Sequence, residues 1–259
     1  MADITTNTYG TAGFEGNDYS EVDAESHAPS NAENEVSSSQ AYAGTYSHHC
    51  YTTTGASGQW CTVGSLITWP GGDIAYLRAY VYFDDANEGD GGYGDDMWLM
   101  GFCRGSYAIT NQAWAAIRWN CADHPNAAHS NTRHGHLWLR DGDGYMEGDM
   151  DTTEIGPFSN NTWHEVELMA DFSGSNTRAV VWVDGNEEVD WTNTGGAPTN
   201  PPDRFSIGGA YTANWHADNY ADVYWDNIQC EDARIGGAAG AAPTLQRLRD
   251  IKMRHLLTR

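Results

Sequence analysis

The eight residues from Tyr76 to Phe83 alternate strictly between two kinds of side chain. Leu77, Ala79, Val81 and Phe83 fall on one side of an extended chain, and Tyr76, Arg78, Tyr80 and Tyr82 on the other. A repeat of two in aromatic and β-branched residues marks a half-buried strand, because a helix would scatter the same apolar groups around its whole circumference. Residues 114–120 repeat the pattern, with Ala115, Ile117 and Trp119 against Trp114, Ala116 and Arg118. Residues 136–140 do so again, with Leu137 and Leu139 against His136, Trp138 and Arg140. Further strands are expected at Trp98–Cys103, Glu165–Asp171, Arg178–Asp184, Arg204–Gly208 and Asp222–Cys230. Asp- and Gly-rich turns separate them, and Asp184-Gly185 is a hairpin signal. Almost nothing before residue 243 has helical spacing, and no internal repeat points to a propeller or solenoid. The fold class is therefore all-β, a two-sheet antiparallel sandwich.

Charge narrows the partners. Lys+Arg is 13 and Asp+Glu is 36, a net charge of −23. Nucleic acid is excluded as a partner of a general basic surface, since phosphate contacts need cations. Aromatic residues are 12% of the chain, too many for a disordered acidic segment. No apolar run reaches the roughly 18 residues of a membrane span, and no secretory signal is expected. The acids divide into 23 Asp and 13 Glu, and the bases into 12 Arg and a single lysine, Lys252. A surface of short, strongly hydrated carboxylates stays solvated where salt competes for water. At molar salt the screening length falls to roughly 3 Å, so their mutual repulsion fades. The composition is similar to that of proteins from salt-adapted archaea and their viruses.

Five cysteines, Cys50, Cys61, Cys103, Cys121 and Cys230, leave at least one free or bonded to another chain. A hairpin centred near Asn111-Gln112 would set Cys103 opposite Cys121, and Cys50 and Cys61 could close a short loop. Cys121, His124, His129, His134 and His136 form a loose group whose spacing matches no compact zinc motif. Residues 233–242 read as an Ala/Gly linker. Beyond it, residues 243–259 are expected to form a short C-terminal amphipathic helix. Its stripe is Leu245, Leu248, Ile251 and Leu256, with Arg247, Arg249 and Lys252 around it. Such a basic helix is too short to stand alone and should dock on this acidic body, a neighbouring copy or another protein.

Three segments carry a resemblance to a known family. Gly13–Asp23, GFEGNDYSEVD, reads as an opening strand. Asn161–Trp191 is a Trp-led strand, a turn, a second strand and a Val-Asp-Gly hairpin. Asp222–Cys230, DVYWDNIQC, reads as a closing strand. Their order resembles the concanavalin A-like lectin/glucanase superfamily, which includes laminin-G-like domains. The resemblance implies a jelly-roll over residues 13–232, behind an N-terminal arm of residues 1–12, with its first and last strands adjacent. It also implies that calcium can link those strands, here through Glu15 and Asp226, because hard oxygen ligands suit that ion. The apolar faces would meet the opposing sheet. The other faces would line one surface with Tyr76, Arg78, Tyr80, Tyr82, Arg118, His136, Trp138 and Arg140. Rings stack on sugars and arginine forks bind carboxylates or hydroxyls, so this surface is expected to bind a glycan or a protein partner.

Catalysis has weaker support in the residues. The paired carboxylates of laminarinase-type members are approached only by Glu147, Asp149 and Asp151, in a Gly-rich stretch. Alginate-lyase-type members use strand motifs with lysine and tyrosine, and the one lysine here lies in the tail. The sequence thus leads to an expectation of no enzymatic activity. It points to a homo-oligomeric structural protein on the surface of a halophilic archaeal tailed virus: a turret, decoration or tail component. That protein would hold a capsid or tail partner through residues 243–259 and bind host surface glycan. The alternative is an extracellular or cell-bound glycoside hydrolase or other polysaccharide-active enzyme, or a free glycan-binding module.

Overall fold

In the computed structural model, the alternation becomes two stacked sheets. The structure describes residues 10–27, 32–52, 60–66, 74–84, 96–105, 113–120, 133–140, 146–147, 154–197, 199–200, 202–211 and 221–235. Sheet I runs β14 (Asn186–Thr192), β13 (Arg178–Val183), β12 (Trp163–Asp171), β6 (Ile74–Phe83), β16 (Ala221–Glu231), β4 (Ser47–Thr52) and β3 (Ala32–Ser37), with β1 (Gly10–Ala12) also on β16. Sheet II runs β10 (Met146–Glu147), β9 (Arg133–Arg140), β8 (Ala113–Asn120), β7 (Asp96–Cys103), β15 (Arg204–Tyr211), β5 (Trp60–Leu66) and β2 (Ala24–His27), with β11 (Glu154–Phe158) also on β9. Every pairing is antiparallel. Among the described residues there is no helix, and so none long and apolar enough to cross a membrane. The expected tail helix and residues 236–242 of the linker lie outside the described residues.

The core is the seam between the sheets. Leu77, Ala79, Val81 and Phe83 of β6 are fully buried, as are Ile117 of β8 and Leu137 and Leu139 of β9. Cross-strand register aligns them in rows, Leu168 opposite Leu77 in sheet I and Ile117 opposite Leu137 in sheet II. Trp225, Phe102 and Phe205 fill the centre. Each buried aliphatic or aromatic side chain of this kind contributes about 1.5–3 kcal/mol.

Four expectations change. Residues 13–23 form turns rather than an opening strand, with Phe14 and Asn17 at φ 55° and 57°, outside the extended region. The strand lies just before, in the expected arm, where Gly10–Ala12 pairs with Ile228–Cys230, so the first and last strands are indeed adjacent. The β7–β8 hairpin sets Cys103 beside Ala113 rather than Cys121, and Cys103 and Cys230 are buried free thiols while Cys50 is disulfide-bonded. The first residues of the expected linker are packed: Ile235 N–H donates to Glu167, and Arg234 stacks over Trp182, 4.3 Å from its ring centre.

Gly101 shows how closely the sheet II strands sit. A Cβ there would fall 2.6 Å from the Ala115 carbonyl oxygen and 2.6 Å from the Ala116 Cβ, the first a backbone atom held in the ladder. Gly101→Ala should therefore destabilise the fold by about 1–3 kcal/mol, read from urea denaturation in high salt.

Candidate functional site

The eight expected surface residues do not share one surface. β6 belongs to sheet I, while β8 and β9 belong to sheet II. The outward sides of the two sheets are opposite faces of the sandwich, so Tyr76, Arg78, Tyr80 and Tyr82 lie on one and Arg118, His136, Trp138 and Arg140 on the other. Alternation assigns a residue to the inside or outside of its own sheet, but it does not say which sheet a strand joins.

The sheet I face is occupied by its own contacts. Tyr42 stacks on Tyr80 with ring centres 3.6 Å apart, and the Tyr80 hydroxyl donates to Glu165. Burial and the Glu165 carboxylate push the Tyr80 phenol up. Arg78 donates to Gln229 and lies 3.5 Å from Glu165. Tyr82 packs against Trp163 and Tyr224, and Tyr224 stacks on His49 at 4.2 Å. His49 in turn bridges Glu35 at 2.7 Å and Asp222 at 2.6 Å. Tyr76 joins a small apolar cluster with Ile74, Met169, Val180 and Trp182. These contacts make a second packed layer.

The sheet II face is arranged differently. The ladders align Glu154 of β11, His136 of β9, Arg118 of β8 and Trp98 of β7 in one row. The Arg118 guanidinium lies between two indoles, 4.5 Å from the Trp98 centre and 4.3 Å from Trp138. Those rings meet edge to face at 6.3 Å. Burial lowers the Arg118 pKa to about 10, which leaves it charged at neutral pH. A cation held this way keeps a fixed orientation and a strong field. Beside it, Arg140 sits 5.8 Å over Trp114, and its carbonyl accepts from the Asn193 side chain. Arg118, Trp138, Arg140 and Glu154 are half-exposed, with His136 and Trp98 buried beneath them. The buried Trp98 Nε1 has no hydrogen-bond partner. The sequence reading missed Trp98 and Glu154. Trp98 would have joined the row had the β7–β8 hairpin been centred correctly, whereas nothing in the spacing marks Glu154. Of the catalytic candidates, Glu147 is in β10, and Asp149 and Asp151 lie outside the described residues, as do Cys121, His124 and His129.

Glu15 and Asp226 come together where the resemblance placed them, but their surroundings do not fit calcium. Asp226 accepts backbone N–H bonds from Tyr42, Ala43 and Asn227 at 2.8, 2.9 and 2.6 Å. Glu15 accepts from Thr45 and Tyr46 at 2.9 and 3.2 Å. Five amide donors converging on two carboxylates make an anion-binding nest, the opposite of the six to eight oxygens calcium takes. Gly44, at φ 79°, lets the loop pass, since a Cβ there would collide with the Glu15 carboxylate. Among the described residues no group of three His, Cys, Asp or Glu side chains is placed to hold a metal. The loop of residues 42–46 itself ties the first and last strands.

No family model and no curated protein matches this sequence. By structure, the chain is similar to an endo-β-1,4-glucuronan lyase from the fungus Trichoderma reesei, with TM-score 0.60 at 11% identity over 88% of this chain and 96% of that one. The cellulose-induced protein Cip1 gives TM-score 0.56 at 13% identity over 88% and 100%. A mutant of alginate lyase Aly36B in complex with alginate trisaccharide gives 0.53 at 13% over 89% and 100%. The expectation of no enzymatic activity is corrected by these likenesses, because the frame found here is one on which polysaccharide lyases are built. They lend no support to a place in a virion, to a capsid partner or to a homo-oligomer. The fold is the concanavalin A-like jelly-roll.

Two outcomes are expected of this loop. Calcium or a chelator should leave the melting temperature unchanged. Burial pushes the Asp226 carboxyl up to about 7 despite its amide donors, and the Glu15 charge adds to the rise. Its contribution to stability is fully present below the ordinary 3.8 and is lost as pH climbs through about 7. Denaturation midpoints should accordingly decline across that window, and Asp226→Asn should flatten the slope.

Proposed function

We propose that this protein cleaves an acidic polysaccharide outside the cell, at the outward face of sheet II, by β-elimination at a uronate. The observation that carries the reading is Arg118, held between Trp98 and Trp138 with His136 beside it in the ladder. The jelly-roll shared with a glucuronan lyase and an alginate lyase supports it further.

Elimination needs two things from the protein. The sugar carboxylate must be neutralised so that the adjacent C–H becomes acidic, and a base must take that proton as the glycosidic C–O bond breaks. Arg118 is suited to the first task, because its flat fork matches a carboxylate and its stacking limits its motion. No lysine is present before Lys252, so the base is of another type, and His136 and Glu154 are the candidates in the row beside Arg118. The Trp98 indole lies beneath the face and serves to hold Arg118. Arg140 and Trp114 extend the same arginine-on-indole pattern for a neighbouring sugar.

Polyglucuronate, alginate and other uronate polymers should be tested in low and molar salt for unsaturated uronate by ultraviolet absorbance. Product is expected from at least one polymer, and Arg118→Lys should lower kcat/KM by roughly 100-fold or more, as for loss of one preorganised charge-stabilising group. Binding without product would assign the protein to glycan-binding modules instead. Neither binding nor product would overturn the reading.

A further inference from the structure

A second constellation stands apart from the sheet II face, at the crossing from β11 to β12. Ser159 follows β11 on an exposed turn, His164 is the second residue of β12, and Asp184 opens the β13–β14 hairpin. Ser159 Oγ is 3.0 Å from His164 Nε2, and His164 Nδ1 is 2.9 Å from Asp184 Oδ2. The order is nucleophile, base, orienting carboxylate.

Three features give this chain of contacts a direction. The Ser159 backbone N–H also donates to His164 Nε2, at 3.1 Å. A backbone N–H can only donate, so Nε2 carries the lone pair and Nδ1 carries the proton toward Asp184. That tautomer aims the Nε2 lone pair at Ser159, where the backbone N–H and Oγ share it, so the N–H contact must lengthen as Nε2 takes the Oγ proton. Asp184 is itself fixed: its Oδ1 accepts the Glu165 N–H at 2.9 Å and its own N–H donates to the Glu165 carbonyl at 2.8 Å. Burial pushes the Asp184 carboxyl up, but the His164 and Glu165 hydrogen bonds outweigh it and hold the group below its ordinary value. Finally, the His164 ring is buried, with Phe158 edge-on at 5.5 Å, while Ser159 faces solvent. Asn160 and Asn161 come next in the turn. Asn161 Oδ1 is 3.3 Å from the Tyr82 hydroxyl, which leaves its Nδ2 as a donor for a developing oxyanion.

We propose that Ser159, His164 and Asp184 form an acyl-transfer site that hydrolyses small, solvent-accessible esters, of the type of an O-acetyl group on a sugar. Ser159 Oγ attacks the acyl carbon while its proton passes to His164 Nε2. The tetrahedral species collapses as the ester C–O bond breaks, and the imidazolium returns the proton to the leaving alcohol. Water then repeats the attack on the acyl-serine, His164 again relaying the proton, and the carboxylic acid and free Ser159 are released. This site does not depend on the elimination reading, since it uses none of the sheet II face residues.

A fluorophosphonate reagent followed by intact-protein and peptide mass spectrometry tests it on the full chain. One phosphonyl adduct on Ser159 is expected, absent in Ser159→Ala, whose melting temperature should stay near that of the wild type because the side chain is exposed. Asp184→Asn should slow labelling and p-nitrophenyl acetate hydrolysis by about tenfold or more, because its partner carboxylate orients the base. An unlabelled Ser159 in the folded wild type would overturn the proposal, as would ester hydrolysis undiminished in Ser159→Ala.

Discussion

Two rows of inward side chains, one from each sheet, hold this protein in a single arrangement. Leu77, Ala79, Val81 and Phe83 face the inward residues of sheet II, including Ile117, Leu137, Phe102 and Phe205. β6 stands between β12 and β16, so its register sets the placement of both. A shift of one residue would turn its four tyrosine and arginine positions into the seam and expose Leu77 and Val81 to water. Both outward faces, and the chemistry on them, inherit their positions from that constraint.

The outward faces use their charge differently. Three arginines on sheet I have carboxylate partners: Arg78 with Glu165, Arg178 with Asp190 and Arg234 with Glu167. Arg178–Asp190 is a half-exposed pair of small worth, roughly 0–1 kcal/mol, and salt screens it further. On sheet II, Arg118 and Arg140 are set against indole rings. Ring faces orient a guanidinium without neutralising it. The same residue type thus meets carboxylates on sheet I and on β15, where Arg204 pairs with Asp203, and meets indole rings at Arg118, Arg140 and Arg234.

What could be read from the residues, and what could not, has a physical boundary. The period of two identified β6, β8 and β9 and separated Leu77, Ile117 and Leu139 from Arg78, Arg118 and Trp138, because that pattern is local. The sheet each strand joins depends on pairing between distant segments, so two surfaces were read as one. A hairpin centre misplaced by a few residues was enough to pair Cys103 with the wrong partner and to hide Trp98. Glu15 and Asp226 lie near each other, but the amides of residues 42–46 that bond to them leave no side-chain signal. Ser159, His164 and Asp184 went unnoticed for a related reason. Each is a common residue, and only the sheet crossing and the Asp184-Gly185 turn, at φ 51° and 81°, bring them within hydrogen-bonding distance.

The strap made by Arg234 and Ile235 has a directional meaning. It fastens the chain across Trp182 and Glu167, on the far side of the sandwich from Arg118. The last described residues thus end on that rear wall, with the full thickness of two sheets between them and the arginine–indole strip.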